Sequence, residues 1–142
     1  MKKTKLKASE ELCGKGSIFF IDGEYEKALP FFKKATEKDP DDAKACFFLA
    51  YCFGNLALYT EAIEAYKQVI RIKPDYREAH CNLGVAYGNL GLHAEAIEAF
   101  KQAIRVDSHY AKAHYNLGGA YENLGRYKEA IKACKEAIRI NP

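Results

Sequence analysis

Long apolar runs are missing from this 142-residue chain: none approaches the roughly 20 residues that a helix needs to cross a bilayer. An excess of one charge is missing too. The formal net charge is +3, yet Lys2, Lys3, Lys5 and Lys7 alone supply four positive charges. Of the 22 basic residues, the remaining 18 face 19 acidic ones, so the body of the chain lacks the basic stripe of a dedicated nucleic-acid binder. No CxxC pair occurs, and the five cysteines (13, 46, 52, 81 and 134) are odd in number. Neither a zinc site nor a disulfide framework is indicated, and reduced structural thiols are expected. Met1-Lys2-Lys3 has the look of a secretory start, but Ala8-Ser9-Glu10-Glu11 is polar and the apolar stretch at residues 17–21 is too short. A cytoplasmic location is expected. Catalytic signatures are also lacking: there is no GxSxG or HExxH, and Gly14-Lys15-Gly16 does not have phosphate-loop spacing. No catalytic residue, cofactor or metal is expected. What remains, 49% apolar and 29% charged, is the composition of an ordinary folded domain.

The chain does have a period. Tyr25-Glu26-Lys27-Ala28-Leu29 returns as Tyr59-Thr60-Glu61-Ala62-Ile63, as His93-Ala94-Glu95-Ala96-Ile97 and as Tyr127-Lys128-Glu129-Ala130-Ile131, every 34 residues without insertion. This divides the chain into a basic arm, 1–8, and repeats 9–42, 43–76, 77–110 and 111–142. The last two repeats agree at 18 of 32 aligned positions. Each repeat reads as two helices. In the third, Ala79, Leu83, Ala86 and Tyr87 recur at helical spacing, Asn89-Leu90-Gly91 marks a stop, and Ala96, Ile97, Phe100, Ala103 and Ile104 form a second stripe. Pro40, Pro74 and Pro142 end the second helices, with Ser108 a weaker stop in the third repeat. Pro30, inside the expected second helix of the first repeat, predicts a kink or a late start.

These residues resemble the tetratricopeptide repeat family over 9–142. The family places leucine at position 7, small residues at 8 and 20, and aromatics at 11 and 24. Here position 8 is Gly16, Ala50, Gly84 and Gly118; position 20 is Ala28, Ala62, Ala96 and Ala130; position 11 is Phe19, Phe53, Tyr87 and Tyr121. Departures are Lys15 at position 7, Cys134 in place of an aromatic at 24, and Ser108 in place of proline. The resemblance implies an all-α, right-handed superhelical solenoid of four helix-turn-helix units, an α-α superhelix with its first helices lining a concave groove. Its use is expected to be non-enzymatic: binding a peptide segment of a partner protein in that groove.

Core positions set aside, the first helices offer Phe47, Tyr51, Asn82, Lys112, Tyr115 and Asn116 as the groove contacts. An asparagine amide both donates and accepts, so it can hold a peptide backbone without reading side chains. Asn82 and Asn116 share position 6 and resemble the ladder in the repeat arm of O-linked N-acetylglucosamine transferases, which makes the targeting arm of a larger glycosyltransferase an alternative. The carboxylate clamp of chaperone-binding relatives is matched at only two of five places. His80 and His114, at equivalent positions, are expected in the core or at its boundary, and His93 and His109 at turns or the surface. Asn55, Asn89 and Asn123 are expected to serve turns. Ile131 and Ile138 fall where Ile97 and Ile104 would pack on a next repeat. Either the chain is part of a longer array or this open face self-associates into a scaffold, a possible homo-oligomer.

Overall fold

Apolar side chains at helical spacing turn each 34-residue repeat into a helix pair. The computed structural model has eight α-helices and no strand among the described residues. It describes the backbone of residues 1–142 and every side chain except those of residues 5 and 6, so the Lys5 side chain of the basic start lies outside the described residues. The helices are α1 (Lys2–Ile21), α2 (Tyr25–Lys38), α3 (Ala43–Asn55), α4 (Tyr59–Ile72), α5 (Arg77–Asn89), α6 (His93–Val106), α7 (Ala111–Asn123) and α8 (Tyr127–Ile140). They form two compact units, residues 1–74 and 75–142, each with two helix pairs. No helix among the described residues is long and apolar enough to cross a membrane.

The basic arm is not a separate segment. Residues 2–8 open α1, which has 20 residues against 13 in α3, α5 and α7. Ser9, fully buried, ties α1 to α3: its Oγ donates to Asp42 Oδ2 at 2.7 Å. Asp42 Oδ1 accepts the Ala45 N–H at 3.1 Å and so caps α3.

Each first helix passes to its partner through one kind of turn. The Leu92 N–H donates to the Tyr87 carbonyl at 2.9 Å and the Gly91 N–H to the Gly88 carbonyl at 3.0 Å, the paired bonds of a Schellman motif. Gly23, Gly91 and Gly125 take φ of 74°, 76° and 72° there. The second repeat makes the same turn with Ala57 at φ 59°, although a left-handed conformation costs a residue with a side chain about 1 kcal/mol.

The second helices all have 14 residues. α2 does not start late: it begins at Tyr25 and carries the exposed Pro30 inside it, where the ring withholds an N–H from the carbonyl four residues before. α6 ends on time without proline because Asp107 does the stopping. Asp107 Oδ1 accepts the His109 N–H at 3.0 Å, as Asp39 Oδ1 accepts that of Asp41 at 3.2 Å, an Asx turn that terminates the helix by itself. Asp107 Oδ2 also pairs with Arg77, whose guanidinium lies 4.5 Å from the Tyr110 ring centre. The His109 N–H first, and Arg77 second, hold the Asp107 carboxyl below its ordinary 3.8. A depressed folded value contributes stability that is whole above pH 3.8 and is lost as pH falls through the lower folded value. Asp107→Asn should therefore flatten the loss of thermal stability below pH 3.8, followed by circular dichroism. An acid slope equal to that of the wild type would remove Asp107 from the account.

Small residues let the helices of a pair approach. A Cβ on Gly16 would lie 3.0 Å from the Phe32 ring, one on Gly84 2.6 Å from Phe100 Cε1, and one on Gly118 2.5 Å from Cys134 Sγ. In residues 1–74 the core gathers Cys13, Ala28, Phe32, Ala35, Ala45 and Cys52; in 75–142 it gathers Cys81, Ile97, Phe100, Leu117 and Tyr121 with small alanines. Lys15, at the position where Leu83 and Leu117 are buried, is exposed. All five cysteines are unpaired: Cys13, Cys46, Cys52 and Cys81 are buried, Cys134 half-buried. Burial, helped by the Asp42 carboxylate, pushes the Cys13 and Cys46 thiols up to about 11, and burial alone pushes Cys52 up to about 12.

Candidate functional site

Within residues 75–142, α5 and α7 lie against each other, and a cleft of about 290 Å³ opens beside them. Buried Ala96 and Phe100 from α6 and Ala120 from α7 line it, together with Cys134 from α8. Its polar lining comes from Asn89 on α5 and from Tyr115, Asn116, Glu122 and Asn123 on α7. Two features keep it open. A Cβ on Gly88 or Gly119 would meet nothing within 4 Å, and Cys134 occupies a position that is aromatic in the other repeats. The cleft is thus concave, apolar within and amide-lined, the usual character of a recognition site.

The residues singled out from sequence fall in different places. Tyr115 is 68% exposed and lines the cleft. Asn116 is half-buried beside it, and its Nδ2 donates to Cys81 Sγ at 3.6 Å. Burial raises the Cys81 thiol, with the Asn116 bond opposing. Asn82 on α5 is half-buried and Lys112 on α7 is exposed; neither is part of the cleft lining. The two amides of the expected ladder are therefore not equivalent: one is oriented by a thiol at the cleft, the other stands apart from it.

Phe47 and Tyr51 belong to residues 1–74, on α3, both half-buried. Tyr51 lies 5.3 Å from Phe20 and 6.2 Å from Tyr25 between ring centres, and Phe47 lies 5.9 Å from Tyr66 and 6.1 Å from Phe48. They are members of an aromatic cluster, each with part of its surface still open. Asn55 and Asn89 turn their Nδ2 groups back to the carbonyls of Tyr51 and Val85, each at 2.9 Å, and so secure the ends of α3 and α5.

His80 is buried; His114 is half-buried with Nε2 3.0 Å from the Ser108 carbonyl. His93 directly follows the turn, as the first residue of α6, but it is not at the surface. It is half-buried, it lines the cleft, and its enclosed Nδ1 finds no hydrogen-bond partner among the described residues. The signal for it was present: Tyr25, Tyr59 and Tyr127 hold the same position in the other repeats. Ile131 and Ile138 on α8 are 56% and 63% exposed. Among the described residues no three His, Cys, Asp or Glu side chains form a group able to hold a metal ion.

Comparison with known proteins follows the same lines. Family models described as tetratricopeptide repeat match residues 12–42 and 81–142, and one described as TPR repeat matches residues 59–91. A crystal structure of MamA is 30% identical, with 97% of this chain and 83% of that one aligned at a TM-score of 0.89. A second MamA structure is 28% identical over 97% of this chain and 75% of that one, with a TM-score of 0.90. MamA from Desulfovibrio magneticus RS-1, 23% identical over 93% of this chain and 75% of that one, shares the fold at a TM-score of 0.88. No curated protein matches the chain. The fold class common to the chain and these structures is the α-α solenoid.

Proposed function

Because the chain belongs to the tetratricopeptide repeat family and is a protein-interaction module, we propose that the cleft of residues 75–142 holds a peptide segment of a partner protein. The observation that carries this is the open space above Gly88 and Gly119, walled by Tyr115, Asn116 and Asn123. An extended peptide leaves its backbone N–H and C=O groups unpaired, and each needs a partner once water is excluded. With its Nδ2 held by Cys81, Asn116 presents its carbonyl oxygen to a peptide N–H. Tyr115 supplies a large amphipathic surface at low entropic cost. Asn82 and Lys112 extend the contact beyond the cleft within residues 75–142; Phe47 and Tyr51, with their open edges on residues 1–74, offer apolar contacts of that unit's own. The reading assigns no reaction to the chain, and its unpaired thiols suit the reducing cytoplasm.

Peptides selected from a random display library on the wild-type chain provide the test. Their affinity should fall at least tenfold in Gly119→Leu, which fills the cleft, and in Asn82→Ala/Asn116→Ala, about 1.4 kcal/mol or more in each. Helicity should be unchanged, since a Cβ at Gly119 meets nothing within 4 Å. Selected peptides that bind both variants as tightly as the wild type would overturn the cleft as the site.

A further inference from the structure

The repeat positions that open the cleft in residues 75–142 are filled by rings in residues 1–74. There Phe20, on α1, is the hub of an aromatic cluster. Its ring centre lies 5.0 Å from Phe48, 5.3 Å from Tyr51, 5.6 Å from Tyr25 and 6.0 Å from Phe32. Two repeats further along the chain, the place of Phe20 is taken by Gly88, that of Phe48 by Asn116 and that of Tyr51 by Gly119. Tyr25 becomes His93, and Phe32 becomes Phe100. All five of these counterparts line the cleft.

The difference lies in side chains and not in the helices that carry them. Phe32 lies against Gly16 and Phe100 against Gly84, so the two wall rings are seated alike. Where α1 sends the Phe20 ring between its neighbours, a Cβ on Gly88 meets nothing within 4 Å. The second unit thus keeps the wall, with an imidazole in place of one phenol, and lacks the three rings that fill the middle. One of the three is replaced by a hydrogen-bonding group, the Asn116 amide, whose Nδ2 is already held by Cys81.

We propose that the cleft takes one aromatic side chain, Phe or Tyr, of the bound peptide, seated where Phe20 sits in residues 1–74; this rests on the reading of the cleft as the peptide site. Phe20 meets Phe32 and Tyr25 edge to face, at 84° and 83°, an arrangement that gains more than the buried area alone. An incoming ring makes the same approach to Phe100 and His93, and an aliphatic side chain forgoes that gain. The Asn116 carbonyl oxygen beside the ring then holds the peptide backbone. Among the described residues, the only Asp, Glu, Lys or Arg in the cleft lining is Glu122. Its negative charge suits a peptide with no acid next to the anchor and disfavours the phosphate that would accompany a nucleobase.

The probes are peptides selected from the display library that bind the wild type and are lost in Gly119→Leu, since these occupy the cleft. Each should carry a Phe or Tyr whose replacement by Leu weakens binding at least tenfold in fluorescence anisotropy. Gly88→Phe supplies the ring from within the chain. It should abolish binding of these peptides and melt at least about 2 °C above Gly88→Ala, followed by circular dichroism. Alanine is the better helix former, so only a seated ring places the Phe variant higher. A Gly88→Phe chain that melts no higher than Gly88→Ala overturns the proposal, because no ring then fits. So do cleft-bound peptides that accept Leu for the aromatic residue without loss; the cleft would remain the peptide site but take apolar bulk of any shape. Selected peptides that all bind Gly119→Leu as tightly as the wild type overturn the reading of the cleft itself, and this inference with it.

Discussion

Phe32→Ala should lower the unfolding free energy by about 3–5 kcal/mol, the range for deleting a fully enclosed phenylalanine. Phe32 is inaccessible to solvent. Its ring stacks on Phe48 at 5.3 Å and meets the edge of Phe20 at 6.0 Å. Several of its neighbours are too small to refill the space: Gly16 lies against the ring, and Ala28, Ala35 and Ala45 share its cluster. A domain stable by about 5–15 kcal/mol loses a large fraction of that margin. Urea unfolding measures the loss, and amide exchange should assign it to α1–α4. A change below about 1 kcal/mol would mean that α1 collapses onto the vacancy, since the cost depends on how far the site relaxes.

Gly84→Ala and Gly88→Ala, one turn apart on α5, should move the melting temperature in opposite directions. At Gly84 a Cβ would sit 2.6, 2.8 and 2.9 Å from three carbons of the Phe100 ring, and Phe100 is itself buried. Overpacking of this kind costs about 1–3 kcal/mol. The better helix propensity of alanine returns up to about 1 kcal/mol, so a net loss is expected. At Gly88 the methyl enters open space and only the propensity gain remains. Calorimetry of the two variants decides the matter. A shift of the same sign in both would show that Phe100 swings aside at little cost.

Much of the fold was legible because the period is exact. Once Tyr25, Tyr59, His93 and Tyr127 align, eight helices and their turns follow from glycine, proline and the apolar stripes. The exceptions have local physical causes. Ala57 makes a turn that composition reserves for glycine, because the Schellman bonds at that place fix the backbone whichever residue occupies it. Asp107 stops α6 by accepting an N–H, which a search for proline overlooks. The basic start is part of α1, a helix that Ser9 ties to Asp42. The candidate site was less legible. Repeat position told which residues stand on the first helices, and Tyr115 and Asn116 do line a cleft. It did not tell which gaps side chains fill. That depends on pairings between repeats, such as Asn116 with Cys81, and on small residues coinciding, Gly119 with Cys134.

The buried thiols have a practical consequence. Only the thiolate attacks an alkylating reagent, and burial both hides these sulfurs and disfavours their ionised form. Modification must then wait for the surrounding helices to open. Cys13, Cys46 and Cys52 lie in residues 1–74 and Cys81 in 75–142. Labelling rates at these sites thus report the opening of each unit separately, with half-buried Cys134 as the fast reference. The chain carries built-in reporters of its own local unfolding and needs no engineered probe.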